Sequence, residues 1–370
     1  FYTEAGGDGF QLNTNRLFED TTGWMHIVCA VNSAATNEID RQKLYVNGVQ
    51  LTSMSSTTAM SYNQALNFNQ TNDVIYLFRK QEDSDHFPGY ACEVAFIDGQ
   101  QLDPTSFGEF DSNSPNIWKP KDFKNDVTFG TNGFYLEFKD SSDLGVDTSG
   151  NGNDLNVYAN NQSTDTCTNN FAVLNDLNVP TSNAPTISEG NLITVTGGGA
   201  ASKYYGGAST LGVSSGKWYA EFKPTSNAAQ TIVGITSDPS GDARNNYYTG
   251  QSAGGYGYYG SNGTTWNNDS SSSYGNSYTD NDIIGVAMDL DNSKLYFSKN
   301  GTFQNSGNPA SGSTGTGAIS ITSGATYFFQ VTDQTSVPTA TISCNFGSPE
   351  YSISSGNSDA NGHGNFEYAV

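Results

Sequence analysis

Residues 282–301 read DIIGVAMDLDNSKLYFSKNG. Apolar residues fill two short runs, Ile283–Leu290 and Leu295–Phe297, and Asn300-Gly301 follows the second run. β-Branched and aromatic residues favour strands, and Asn-Gly suits tight hairpin turns because both central positions need positive φ. This segment therefore predicts two neighbouring antiparallel strands that end in a sharp turn.

The same rhythm of short apolar runs and turn residues recurs on both sides of this segment, and no amphipathic helix of useful length interrupts it. Trp24–Val31, Lys43–Val46, Lys217–Phe222 and Tyr327–Val331 are further predicted strands. The pattern predicts an all-β protein of two jelly-roll β-sandwich domains joined by a turn-rich linker. The predicted boundaries are 1–140 for the first sandwich, 141–189 for the linker, 190–348 for the second sandwich and 349–370 for a C-terminal tail.

Composition excludes some partners. The chain of 370 residues carries 15 Lys and Arg against 37 Asp and Glu, for a net charge of −22. Nucleic acids and anionic membranes need a basic surface, so we expect neither as a partner. No segment approaches the roughly 20 apolar residues that span a bilayer, so we also expect no membrane insertion.

An ordered series of motifs in the first half resembles a known sandwich family. The motifs are GWMHIV (23–28), DRQKLYVNGV (40–49), GYACEVAFIDGQ (89–100) and NGFYL (132–136). Together they resemble the concanavalin A-like, laminin G-like domain of marine phage structural proteins. That resemblance implies a lectin-like sandwich in a tail or head fibre. Because the family's domain begins some tens of residues earlier, we expect its first strands to be missing here or supplied from elsewhere.

The second half resembles a SPRY domain. The resemblance rests on GKWYAEF (216–222), VGI (233–235), DIIGVAMD (282–289) and LYFSKNG (295–301). SPRY domains are jelly-roll sandwiches that bind partners through loops, so this resemblance implies interaction rather than catalysis.

Enzyme motifs are weak in this chain. The Glu-x-Asp-x-x-Glu strand of sandwich glucanases is absent. G-x-S-x-G occurs at 212–216 and 250–254, but a chain this rich in Gly and Ser produces such strings by chance, and the nucleophile elbow needs an α/β sheet. We therefore expect no enzyme, with a secreted carbohydrate-active enzyme kept as an alternative.

An aromatic and amide-rich segment is the candidate glycan site. Sugar rings stack on aromatic faces, and their hydroxyls bond to amides and carboxylates. The segment around 250–277 reads as a long loop rich in Gly, Ser, Tyr and Asn. The alternative is that its tyrosines pack between subunits or stabilise the loop. The glycan candidates are Tyr247, Tyr248, Tyr256, Tyr258, Tyr259, Trp266 and Asn262.

A second candidate site is a calcium site in the turn-rich linker. Asp147, Asn151, Asn153 and Asp154 offer the hard oxygen ligands that Ca²⁺ prefers. An ordinary Asx and Gly turn explains the same residues.

The four cysteines lack the CxxC spacing of a zinc knuckle. They are interpreted as buried free thiols, with one disulfide between Cys29 and Cys92 left open.

Three functions follow from these patterns. The first is a virion appendage protein at the particle surface that binds a host-surface polysaccharide or glycoprotein. The second is a decoration protein whose domains bind other virion proteins, and the third is the secreted enzyme. Because fibres are homo-oligomers, we expect an oligomer, with a trimer as the first guess.

Overall fold

Antiparallel strands dominate the computed structural model, which describes residues 10–18, 20–65, 75–79, 87, 89–158, 162–196, 205–333 and 339–369. The chain divides into unit 1, residues 1–19 and 23–168, and unit 2, residues 20–22 and 169–370. Within the described ranges, no helix is both long enough and apolar enough to cross a bilayer. The all-β prediction is confirmed.

Unit 1 is built from short antiparallel sheets. Its strands are β1 (Gln11–Thr14), β2 (Ile27–Val31), β3 (Gln42–Val46), β4 (Val49–Gln50), β5 (Met54–Thr58), β6 (Val94–Phe96), β7 (Gly108–Phe110), β8 (Trp118–Pro120) and β9 (Phe134–Leu136). Strand β1 pairs with β5, and β2, β3 and β4 form a three-stranded sheet. Two further pairs are β6 with β9 and β7 with β8.

The β3–β4 hairpin of unit 1 turns at the predicted Asn-Gly pair. Asn47 and Gly48 both have positive φ, 48° and 77°, as a tight hairpin turn requires. The indole of Trp118 lies directly over Gly48, and a methyl group there would come within 2.2 Å of the ring. The same indole donates a hydrogen bond to Nδ1 of His26 over 3.0 Å. His26 is thus a packed structural histidine, and burial lowers its pKa.

We expect Gly48→Ala to destabilise unit 1 by about 2–4 kcal/mol, because the new methyl group meets both an unfavourable φ and the Trp118 ring. Chemical denaturation followed by tryptophan fluorescence measures the loss. Gly99→Ala is the matched control, since Gly99 has a φ of 79° but open space at its Cβ position. It should cost only about 1 kcal/mol. Equal losses in the two variants would contradict a role for the Trp118 contact.

Unit 2 carries longer strands and a short helix, α1 (Pro239–Asn245). Its strands are β10 (Thr186–Ser188), β11 (Ile193–Val195), β12 (Tyr205–Ala208), β13 (Lys217–Ser226), β14 (Thr231–Thr236), β15 (Gly255–Tyr259), β16 (Thr264–Asn267), β17 (Ser270–Ser273), β18 (Ile284–Asp289), β19 (Lys294–Lys299), β20 (Thr302–Phe303), β21 (Ile319–Ser320), β22 (Phe328–Asp333) and β23 (Thr341–Asn345).

Two antiparallel sheets enclose the core of unit 2. One has the order β10-β11-β23-β13-β18-β19-β20, with β21 beside β19, and the other has the order β12-β22-β14-β15-β16-β17. The segment that opened the sequence analysis forms β18 and β19, paired from Ile284 opposite Lys299 to Asp289 opposite Lys294. Phe222 of the first sheet contacts Phe329 of the second, with ring centroids 6.4 Å apart. Fully buried apolar side chains from both sheets form one cluster, as a β-sandwich requires.

The division between the two units falls inside the predicted linker 141–189, and each half of that segment belongs to one unit. Asp147 forms a β-bridge with Leu136 in unit 1. Leu174 is fully buried in the core of unit 2, and its backbone forms a bridge with Ser209. The turn-rich composition of residues 141–189 correctly predicted irregular backbone. The contacts of Asp147 and Leu174 pack that backbone against the sheets.

Residues 349–369, the predicted C-terminal tail, belong to unit 2. The carboxylate of Glu221, in the middle of β13, is fully buried. It accepts hydrogen bonds from the backbone N–H groups of Glu367 (3.0 Å) and Tyr368 (2.8 Å), and one from the side-chain amide of Asn345 (3.1 Å). Phe366 is buried beside them, against the ring of Tyr219. Burial raises the pKa of Glu221 although these donors favour its charged form.

We expect Glu221→Ala to release residues 349–369 from the sheet, because two backbone N–H groups lose their acceptor. A chymotrypsin-like protease should then cut after Phe366, which the intact protein buries. Glu350→Ala is the control, since Glu350 is exposed. Equal cleavage of both variants, with the melting temperature unchanged, would show that Glu221 does not hold this segment.

Candidate functional site

The aromatic-rich segment forms strands rather than the predicted loop. Strands β15, β16 and β17, residues 255–273, make the edge of the six-stranded sheet, and we call them the ribbon. Asn268 and Asp269 link β16 to β17 with φ values of 51° and 57°, which suits a two-residue hairpin turn. Successive side chains in a strand point to opposite faces, so the ribbon has one face toward the core and one away from it.

Tyr256 and Tyr258 point into the core, so they are wrong as glycan-stacking candidates. Tyr258 is fully buried and stacks on Phe297 of the other sheet, with centroids 5.2 Å apart. Its hydroxyl donates to the backbone oxygen of Asn276. Tyr256 is 7% exposed and packs against Tyr327. Neither ring has a free face for a sugar.

Trp266 lies on the opposite, outward face of the ribbon. It pairs with Gly257, whereas Thr265 pairs with the buried Tyr258, so Trp266 and Tyr258 point in opposite directions. Tyr259 lies two residues from Gly257 and therefore shares the outward face, as does Thr264, two residues from Trp266. Both Trp266 and Tyr259 are partly exposed.

A chain of hydrogen bonds holds the indole of Trp266 in place. Its N–H donates to the hydroxyl of Thr264 over 3.1 Å, and that hydroxyl donates to the side-chain oxygen of Asn262 over 2.8 Å. The same oxygen accepts from the backbone N–H of Thr264 over 3.1 Å. The exposed Asn262, a predicted glycan residue, thus orders the turn before β16 and fixes the aromatic ring indirectly.

The ring of Tyr248 packs against the indole of Trp266. The two rings meet edge to face, with centroids 5.6 Å apart, and Tyr248 is only 6% exposed. Its hydroxyl donates to the carboxylate of Asp269 in the β16–β17 turn. Tyr247 is partly exposed and its backbone N–H donates to Asp242. Of the predicted residues, the structure therefore places Trp266, Tyr259 and Asn262 together at an accessible surface.

The outward face is polar and nearly uncharged. Residues 255–273 contain no Lys or Arg, and Asp269 is their only acidic residue. The cross-strand partners of Trp266 and Thr264 are the exposed Ser271 and Ser273. Sequence analysis missed these hydroxyls, although Asn268-Asp269 between two short polar runs is a hairpin signal that could have found them. An aromatic ring among hydroxyls and amides suits a neutral, polyhydroxylated ligand.

The predicted calcium residues form a closed turn. Asp147 is 8% exposed, and its Oδ1 accepts from the N–H groups of Tyr135 and Ser149, both over 2.8 Å. Its Oδ2 accepts from the Ser149 hydroxyl and the Asn153 N–H, both over 2.9 Å. Asp154 accepts from the Asp147 N–H over 2.8 Å.

The two amides of this turn point at the backbone. The Nδ2 atoms of Asn151 and Asn153 both donate to Gly133 O over 2.8 Å. Donor hydrogens therefore occupy the positions around Asp147 that a cation needs, and these contacts favour the ordinary turn over a calcium site.

We expect the melting temperature to be the same with calcium and with a chelator, because the Asp147 oxygens already accept four hydrogen bonds. Asp147→Ala should cost about 1–3 kcal/mol. Burial raises the pKa of Asp147, but its hydrogen-bond donors outweigh burial and hold the pKa below the ordinary value. Its stabilisation is therefore present above about pH 4 and lost on further acidification. Calcium-dependent stabilisation that disappears in Asp147→Ala would overturn this interpretation.

All four cysteines are free thiols in the structure, so the disulfide left open between Cys29 and Cys92 is not formed. Cys29 is an exposed free thiol on β2. The sulfur of Cys92 instead lies 3.6 Å from that of Cys167.

Comparison with known proteins identifies the domain that carries the ribbon. The family model of the SPRY domain matches residues 217–324. Unit 2 contains a SPRY domain. The ribbon lies inside this SPRY match.

Solved structures include a similar chain, the SPRY domain of human HERC1. It is 20% identical, with a TM-score of 0.34, and the match covers 43% of this chain and 91% of that one. No curated protein matches this chain.

Proposed function

We propose that this chain is a non-enzymatic protein of a phage virion appendage, a tail or head fibre, and that its SPRY domain binds a host-surface glycan. The contact surface is the outward face of the ribbon. Trp266 carries the proposal, because its ring is partly exposed, fixed by Thr264 and Asn262, and surrounded by hydroxyls. A preformed aromatic platform with nearby hydrogen-bonding groups is the usual design of a sugar site.

Two further features support this proposal. The ribbon's lack of basic residues suits a neutral sugar better than an anionic peptide or a phosphate. The motif series of unit 1 resembles the concanavalin A-like domain of phage structural proteins, and a lectin-like domain in the same chain as the SPRY domain fits a particle that attaches to a polysaccharide. The phage assignment and the virion location rest on that resemblance.

We expect Trp266→Ala to weaken glycan binding about tenfold or more, because the stacking surface is lost. A glycan array with host-surface polysaccharides, followed by titration calorimetry on each hit, measures the change. Trp218→Ala is the matched control, since Trp218 is 45% exposed and lies on β13, outside the ribbon. The wild type should bind at least one neutral glycan, and the control should bind it equally well.

Two results of this experiment would contradict the proposed glycan site. Binding that Trp266→Ala leaves unchanged, in a variant with the wild-type melting temperature, would remove the ribbon from the site. No binding to any host polysaccharide would count against the glycan itself.

A protein partner is the second candidate, and strand β17 favours it. This strand ends the six-stranded sheet, and its four serines are exposed. It lacks the Lys and Pro residues that commonly block sheet edges, so a partner strand can pair with it. Proline lacks the backbone N–H group. The N–H groups lost in Ser271→Pro and Ser272→Pro lie on opposite edges of β17. Loss of a virion partner only in the variant whose missing N–H lies on the free edge of β17, with the melting temperature unchanged, would favour this function.

A further inference from the structure

Two cysteines that are 75 positions apart in the sequence meet in unit 1. The sulfur atoms of Cys92 and Cys167 lie 3.6 Å apart, and both residues are partly exposed. Cys92 lies two residues before the first residue of β6, and Cys167 lies next to Thr168, the last residue of unit 1. Folding thus places the end of unit 1 next to the start of strand β6, with one thiol on each.

The geometry points to a disulfide between Cys92 and Cys167 as the oxidised state of this pair, which fastens the end of unit 1 to strand β6. A disulfide bond is about 2.05 Å long, so the two sulfurs must approach by about 1.6 Å. Partial exposure lets a small oxidant reach them.

The surroundings of the two thiols shift their pKa values in opposite directions. A hydrogen bond from Cys167 lowers the pKa of Cys92, which favours the thiolate form of Cys92. The same contact, together with burial, raises the pKa of Cys167. Cys92 therefore suits the attacking sulfur, and Cys167 suits the resolving thiol that stays protonated until the second step.

The reaction balances with a low-molecular-weight disulfide as oxidant. The Cys92 thiolate attacks one sulfur of that disulfide, forms a mixed disulfide and releases one thiolate. Cys167 then loses its proton, and its sulfur attacks the Cys92 sulfur, which releases the second small thiol. Two protein thiols are oxidised to one disulfide, and one small disulfide is reduced to two thiols.

Closing this bond should stabilise unit 1 because its described sheets are short. Strand β6 has three residues and pairs with β9, which also has three. A crosslink between residues 75 positions apart removes much conformational freedom from the unfolded chain.

The test compares the full chain in oxidised and reduced glutathione. Oxidation should lower the intact mass by two hydrogens and yield one crosslinked peptide pair that contains Cys92 and Cys167. The melting temperature of unit 1 should rise by about 10 °C relative to the reduced protein. Cys92→Ser and Cys167→Ser should each abolish this rise. Cys29→Ser is the control and should keep it, because Cys29 is an exposed thiol on a separate strand.

Three outcomes would overturn the proposal. One is a crosslink that involves Cys29 or a second molecule in place of the Cys92–Cys167 pair. Another is a thiol pair that stays reduced in oxidised glutathione although both thiols react with an alkylating reagent. The third is binding of Zn²⁺ to the reduced protein that blocks oxidation, since Cys92, Glu93 and Cys167 place ligand atoms within 4.8 Å of one another.

Discussion

The stacking of Tyr258 on Phe297 joins the two sheets of the SPRY domain at the place where the ribbon begins. Tyr278 completes the contact, because its hydroxyl donates to the backbone oxygens of Tyr258 (3.0 Å) and Thr231 (2.8 Å). All three aromatic side chains are buried. With Tyr258 fixed inward, strand alternation forces Tyr259 and Trp266 outward. The exposed aromatic surface is therefore a direct consequence of a core contact.

Sequence reasoning predicted well where one chemical preference dominated. The apolar runs and Asn-Gly pairs located β18, β19 and the Asn47-Gly48 turn, because positive φ and β-branched strands leave few alternatives. It failed on residues 250–277, since Gly, Ser and Asn have low strand propensity. The neighbouring strand β14 pairs with β15 and imposes strand structure on those residues. That pairing depends on tertiary contacts, which local composition does not contain.

The candidate sites show the same limit. Residue types identified Trp266 and Asn262 as parts of one polar and aromatic surface, but only the strand register separated Tyr259 from the buried Tyr258. Composition left a calcium site possible at Asp147 beside the favoured plain turn, and hydrogen-bond directions distinguish them. The meeting of Cys92 with Cys167 depends on the path of the chain over 75 positions, which no local pattern encodes.

The buried carboxylate of Glu221 has a consequence for the order in which the chain folds during synthesis. Its backbone donors, Glu367 and Tyr368, lie 146 and 147 positions later in the sequence. While the ribosome is still adding those residues, β13 can pair with its neighbours but its central acid lacks two of its partners. An unsatisfied buried acid is costly, so a nascent SPRY domain should remain open or protonate Glu221 until Glu367 and Tyr368 emerge. Chaperones that bind incomplete sheets would thus meet this domain before those two residues are in place.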